Sequence, residues 1–451
     1  MTLSNILAGT SFQLTELIGH VEIGFLEEFI GILIGAVGIT GIGIILYCLI
    51  LKIVVLPLDI WQKASMRKQN LKMESMRGQL EKLKAQYENN PELYQKKIQE
   101  VYKQNNYNMF SSCLPTIAML VILMVAFQSL TTYSQYMNLN MYVEMSKSYN
   151  TAILQYYDKD ASIEEERDDP KYICYKSDKE NCFIYAVKMK ETDKIESYDI
   201  DVEKMAKFFN DESITEETAL SHIRDIGGKE AAKTFESFMN DRGASFLLTK
   251  NIFYPDVMWS HPLADYNTFK NSINKKIITT NENGEVIKEY TKVEEFISAD
   301  VYNSITSNLT EYESQPNGYF ILVVLTILAN LGSQFISMRS QKAQRELQTA
   351  DKSQQDMQKW MMLLMPAMFC FFAFIYSGAF SLYLITSSLF STVSMLVVNK
   401  VIDTIFNHQQ KKKAEVISSG RQAYTRDWEK NKKIDELKNK YGNNNKNNNK
   451  K

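Results

Sequence analysis

Histidine is scarce in this chain, with four copies in 451 residues and no two placed as a ligand pair. That argues against a zinc site. Cysteine is equally thin: the five copies form no metal-binding spacing. Cys48, Cys113 and Cys370 lie in or at the ends of apolar runs and suit packing. Lysine and arginine are missing from residues 1–29, so the basic region that opens a cleavable signal peptide is not evident. No nucleophile–base or paired-acid constellation stands out either. The chain is therefore not expected to be an enzyme, and no catalytic residue, cofactor, metal or small-molecule substrate is expected.

Present instead are long apolar runs, hidden by unremarkable averages of 23% charged residues and a net charge of −2. They are Phe29 to Leu58, Cys113 to Leu130, Tyr319 to Ile336, and a double-length run from Trp360 to Val398 divided at Ser377-Gly378. At about 20 residues per span, these make five membrane helices. The spans are expected at 29–58, 112–136, 318–338, 360–377 and 379–402. Leu3, Ile6, Leu7, Phe12, Leu14, Leu17 and Ile18 are spaced as in an amphipathic helix lying in the membrane interface, over 1–28, with a disordered tail as the alternative reading.

Charge sets the orientation. Segment 59–106 carries about ten Lys and Arg against six acids, loop 338–359 about five against three, and the tail from 403 about thirteen against six. The positive-inside rule puts all three in the cytoplasm. Segment 141–316 carries about 21 basic against 34 acidic residues, consistent with an outside location. The expected arrangement in the cell membrane is N-terminus outside and C-terminus cytoplasmic.

Residues 59–111 read as a cytoplasmic helical hairpin. Met66, Met73, Leu80, Leu83 and Tyr87 form one apolar stripe, Pro91 opens the second arm, and Leu93, Tyr94, Ile98, Val101 and Tyr102 form the other. Lys63, Arg67, Lys68, Lys72, Arg77, Lys96 and Lys97 would cover the outer face. Residues 339–359 form a loop and 403–451 a basic tail with Lys411, Lys412 and Lys413, disordered on its own and suited to an anionic surface. The segment 137–317 is expected to be an extracytoplasmic acidic α+β domain, with helices at Val202–Phe209 and Ile214–Phe238. Strands are expected at Asn181–Lys188, Lys276–Thr280 and Glu285–Tyr290, with a hairpin turn at Asn281–Gly284. Cys174 and Cys182 could form a disulfide if that domain is outside, or remain free thiols.

Lys52 interrupts the first apolar run near its end. A charge at the centre of a membrane helix costs roughly 2.5–3.5 kcal/mol on insertion scales. Such a lysine either snorkels to the nearby interface or faces a wet cavity. Polar residues on otherwise apolar runs could line that cavity: Thr116, Asn330, Ser333, Gln334, Tyr383, Ser387 and Ser388. Helix packing by small polar residues is the alternative reading.

The stretches LILKIVVLPLDIWQKASMRKQNLKMESMRGQLEKLKAQY, LYQKKIQEVYKQNNYNMFSSCLP and SGAFSLYLITSSLFSTVSMLVVNK resemble the YidC/Oxa membrane protein insertases, over about 25–135 and 319–405. The resemblance implies an all-α polytopic membrane protein. Its five-helix core would surround a hydrophilic groove open to cytoplasm and lipid, with Lys52 as the groove charge, where the family usually carries arginine. It also implies an insertase and chaperone function in protein transport, with nascent membrane proteins as clients. The Sec translocon and the ribosome are candidate partners alongside the bilayer. Lys63, Arg67, Lys68, Lys72, Arg77 and Lys411–Lys413 are the candidate client or ribosome contacts. Asn108-Met109 departs from the family's Asn-Pro, Met119 and Leu120 lie where glutamine is common, and the long acidic insert is atypical. A transporter, or an assembly scaffold that docks through the insert, are the rival classes.

Overall fold

The computed structural model describes residues 12, 14, 17–87, 90–107, 114–166, 171–241, 243–281, 283–340, 364 and 367–402, with scattered positions between 404 and 436. The chain divides into two compact units, Met1–Val55 with Thr116–Phe390, and Leu56–Pro115 with Ser391–Lys451. It is mostly helical, with two small antiparallel sheets. Among the described residues, three helices are long and apolar enough to cross a membrane: α2, α11 and α12, with ranges given below.

The first unit opens with a correction. Residues 17–24 do not form an interfacial helix. Strand β1 (His20–Val21) pairs antiparallel with β6 (Ile277–Thr280), which pairs with β7 (Val286–Tyr290). Leu17 and Val21 are buried in the protein's own core, so these apolar side chains find protein rather than lipid. Leu3, Ile6 and Leu7 lie outside the described residues.

The apolar run from Phe29 to Leu58 is likewise shared by two helices, α1 (Phe25–Val37) and α2 (Thr40–Gln86). Gly38 separates them with φ +77°, its N–H bonded to the Ile34 carbonyl. This is a left-handed cap that glycine adopts without a steric penalty. A Cβ on Gly43 would lie 2.6 Å from Ile34 Cγ1, so α1 and α2 meet at backbone distance.

Helix α4 (Leu114–Leu154) has 41 residues, or about 60 Å of length against roughly 30 Å of hydrocarbon. No proline or glycine interrupts it after Pro115. It runs past the expected end at 136 into the insert, where Tyr142, Met145 and Ile153 are fully buried. Beyond it, β2 (Ser162–Glu166), β3 (Tyr172–Lys176), β4 (Ile184–Met189) and β5 (Ile195–Ile200) form an antiparallel meander. Helices α5 (Val202–Phe209) and α6 (Glu216–Asn240) follow, capped by Asp201 and Thr215. Phe183, Ile184, Met205 and Ile223 make a satellite core there. Short helices α7 (Tyr266–Ser272), α8 (Val293–Phe296), α9 (Ala299–Ile305) and α10 (Thr310–Ser314) complete the insert. The hairpin between β6 and β7 turns at Gly284, φ +80°, with Asn281 Oδ1 accepting from the Asn283 and Glu285 amides.

Helix α11 (Ile321–Ser340), the helical stretch 367–375 and α12 (Gly378–Ile402) return to long apolar sequence. The insert satisfies the exposed backbone donors at the starts of α11 and α12. Asp256 accepts from the Leu322 amide at 2.6 Å, and the Tyr254 and Ile252 carbonyls accept from the Gly378 and Ala379 amides at 2.9 Å each. Two buried asparagines fix this segment. Asn251 donates its amide N–H to Asn317 Oδ1, and Asn317 Nδ2 donates to the Asn251 and Pro255 carbonyls. One hydrophobic core runs from Ile44, Leu130 and Phe380 of the long helices to Phe235, Phe269 and Tyr302 of the insert.

In the second unit, α2 continues and α3 (Pro91–Gln104) follows. Asn90 caps α3 by accepting from the Leu93 amide, and Pro91 opens the helix. Met73, Leu80 and Ile98 are buried, and Met76 joins them although the expected stripe passes over it. The Met66 side chain lies outside the described residues. Lys72 Nζ donates to the Asn106 carbonyl at 2.6 Å, holding the end of the second arm to the first.

Gly318 tests how tightly the insert seats on α11. A Cβ there would lie 1.7 Å from Asp256 Oδ1, whereas one on Gly332 meets nothing within 4 Å. Gly318→Ala should destabilise by about 1–3 kcal/mol through overpacking, while Gly332→Ala should be neutral or stabilising by up to ~1 kcal/mol. Thermal unfolding of the two variants in detergent checks this.

Candidate functional site

Lys52 sits in the fourth turn of α2 and is half-buried. At 100° per residue it lies about 40° around the helix from Cys48. Cys48 is buried and its thiol donates to the Tyr383 carbonyl of α12 at 3.6 Å. The outward arc at this level belongs to Ile53 and Val54, 59% and 70% exposed. The ammonium-bearing side chain thus leaves α2 from the side that packs on α12.

The helices of this unit are tied together by polar pairs. Tyr47 OH and Ser129 Oγ are 2.7 Å apart, joining α2 to α4. Ser134 Oγ and Ser377 Oγ, 3.2 Å apart, join α4 to the start of α12. Thr326 donates to the Ser381 carbonyl at 3.3 Å, and Ser388 donates to Asn330 Oδ1 at 2.9 Å, joining α11 to α12. Asn330 Nδ2 donates to the Thr326 carbonyl one turn back. In lipid, hydroxyls and amides have no water to turn to, so such pairs hold helices in register.

Among the residues singled out from the sequence, Asn330 and Ser388 are brought into direct contact. Tyr383 is buried beside Cys48, and Ser333, Gln334 and Ser387 are half-buried. The Thr116 side chain and Lys411, Lys412 and Lys413 lie outside the described residues. Sequence reasoning passed over Tyr47, Ser129, Ser134, Thr326, Ser377 and Ser381. Thr326 and Asn330 lie four residues apart and Ser381 and Ser388 seven apart, each pair one face of a helix, and that spacing was the available signal.

Of the basic residues on the hairpin, Lys63 and Arg67 are half-buried and Lys68 is exposed. Burial lowers the Lys63 pKa, and the Asp59 carboxylate one turn earlier opposes that shift. Arg77 pairs with Glu81 at 2.9 Å, both well exposed, a pair that contributes little to stability.

Cys174 and Cys182 are both free thiols, which corrects the disulfide alternative. Cys174 stands opposite Val187 in the β3–β4 ladder, five residues along the chain from Cys182. That is roughly 15 Å of extended chain, far beyond the reach of a disulfide. Cys182 instead donates to the Tyr156 carbonyl at 3.2 Å, and burial pushes its thiol pKa up. Among the described residues no group of His, Cys, Asp and Glu is arranged to hold a metal ion.

Long apolar helices joined by buried polar pairs, with a lysine on the packed side of one of them, define a polytopic helical membrane protein. The sequence model described as 60Kd inner membrane protein matches residues 32–172 and 242–405. The chain belongs to that family, the YidC/Oxa family. Similar curated proteins include the "Membrane protein insertase YidC" of Enterococcus faecalis, 37% identical over 98 residues, 21% of this chain and 34% of that protein. The protein of the same name from Fusobacterium nucleatum is 33% identical over 106 residues, 23% of this chain and 50% of its own. The one from Clostridium perfringens is 33% identical over 104 residues, 22% and 42%. The matched stretch thus spans a third to a half of these relatives. No solved structure matches the chain. The family match covers more of the insert than the resemblance implied: it resumes at 242, so the segment that seats on α11 and α12 lies within it, and only 173–241 falls outside.

The Asn330–Ser388 pair is testable by a double-mutant cycle. Asn330→Leu and Ser388→Ala should couple by about 0.6 kcal/mol and by no more than about 1.7, read from unfolding in detergent. Additive effects would mean the two side chains do not bond.

Proposed function

We propose that this chain is a membrane protein insertase and chaperone that lowers the barrier for short hydrophilic segments to enter the bilayer. The observation that carries the reading is Lys52 on the bundle side of α2, in a chain of the 60Kd inner membrane protein family. Moving a polar segment into hydrocarbon is opposed by desolvation of its charges and backbone. A wet groove shortens the apolar distance to cross. A fixed cation in it attracts acidic residues of the client, holds them transiently, and releases them as the apolar helix slides into lipid. No covalent step is needed.

In this reading five spans surround the groove, with the N-terminus outside and the C-terminus cytoplasmic, as the charge distribution favours. Asn330, Ser333, Gln334, Tyr383, Ser387, Ser388 and Thr116 line or support the groove wall. The hairpin residues Lys63, Arg67, Lys68, Lys72 and Arg77, with the tail lysines, meet clients or the ribosome. Nascent membrane proteins are the clients, and the Sec translocon is a further partner. Lysine in place of the family's usual arginine offers a point charge without a forked donor set, so client acids are held by charge more than by geometry.

Purified protein in liposomes, supplied with a single-span client carrying an acidic N-terminal segment, tests the role of Lys52. Lys52→Arg should retain insertion. Lys52→Ala should lower it by roughly tenfold, as expected for loss of a charged hydrogen bond of about 1.5 kcal/mol. Normal insertion by Lys52→Ala would remove the charge from the mechanism.

A further inference from the structure

Two loops of the insert carry apolar tips that the protein does not cover. Phe246 and Thr249 exchange both backbone hydrogen bonds, at 3.0 and 3.1 Å, which closes a tight turn. Leu247 and Leu248 stand at its tip, 60% and 59% exposed. Leu247 has φ +55°, a left-handed conformation that is strained for leucine. The turn sits at the start of α2: a Cβ on Gly41 would overlap the Phe246 ring, 2.1 Å from Cδ2.

The second loop presents Trp259, 66% exposed. Its ring lies 5.4 Å from that of Phe320, the residue before α11. Directly along α11, the outward side chains Val324, Leu325 and Leu328 are exposed apolar groups on a helix long enough to span a membrane. That surface has only acyl chains to face, and Trp259 continues it at the helix end, the level where tryptophan concentrates in membrane proteins. Both loops therefore stand at the N-terminal ends of membrane-length helices.

We infer that the insert is seated on the bilayer, with the Leu247–Leu248 and Trp259 tips immersed in the interfacial lipid layer. The occupant is lipid because the apolar surface is continuous with the lipid-facing side of α11. Attraction to anionic head groups is not what holds it, since segment 141–316 is strongly acidic. The seating keeps the insert close over the helix ends whether or not the groove inserts clients, and the client-insertion assay reads that function separately.

Full-length protein in liposomes, with Trp61, Trp360 and Trp428 replaced by phenylalanine, leaves Trp259 as a single reporter. A second reporter moves the tryptophan to the turn (Leu248→Trp with Trp259→Phe). A third moves it to the distal sheet (Ile163→Trp with Trp259→Phe), near the far end of α4. Trp259 and the position-248 reporter should lose most of their emission to brominated lipid and little to aqueous iodide, with no change at high salt. The position-163 reporter should show the reverse. Quenching of Trp259 by iodide alone would overturn the inference, and so would shielding from both quenchers, as a second protein copy seated there would give.

Discussion

A helix that starts at a membrane surface exposes its first backbone N–H groups, and each needs an acceptor. In this protein the insert supplies acceptors for two helices. Asp256 and the carbonyls of Ile252 and Tyr254 accept from the first turns of α11 and α12. Removing one such acceptor strands a buried donor, at a penalty of about 1–3 kcal/mol. Asp256 also places a carboxylate at the positive end of the α11 dipole. The close approach at Gly318 and the paired asparagines 251 and 317 exist to hold this segment in place. The insert is therefore built into the helical core and shares its packing.

That construction bears on the proposed function. A groove that admits polar segments weakens the packing of its own helices, because its wall positions cannot be filled by interlocking apolar side chains. The polar pairs Tyr47–Ser129, Thr326–Ser381 and Asn330–Ser388 compensate by fixing helix register at single points. The capped helix ends supply rigidity at the opposite level from Lys52.

Much of the helical core was legible in the sequence, because long apolar runs have few alternatives and the hairpin turn at Asn89-Asn90-Pro91 is chemically explicit. Lys52 stood out as a charge that apolar surroundings must justify. The division of the first run at Gly38 was not legible: five glycines occur between 31 and 43, and nothing local marks the one that turns left-handed. The fate of residues 17–21 was hidden because Leu17 and Val21 suit a lipid face as well as a protein core, and the strand partner lies some 250 residues away. Helix α4 runs on into the insert because its apolar face changes partner from bundle to insert with no break in the chain. The Asp256 cap was invisible, since a buried aspartate looks like any other acid in a segment that holds 34 of them.

The claim that insert and helices form one cooperative body can be tested by hydrogen exchange of the full-length protein in lipid nanodiscs. Peptides covering 249–257, 318–326 and 377–383 should exchange slowly and lose protection together, with the amides of Leu322, Gly378 and Ala379 as slow as the buried centre of α4 around Tyr142. Rapid exchange at the starts of α11 and α12, while the insert itself stays protected, would show that the helix ends are open to water and would contradict the account.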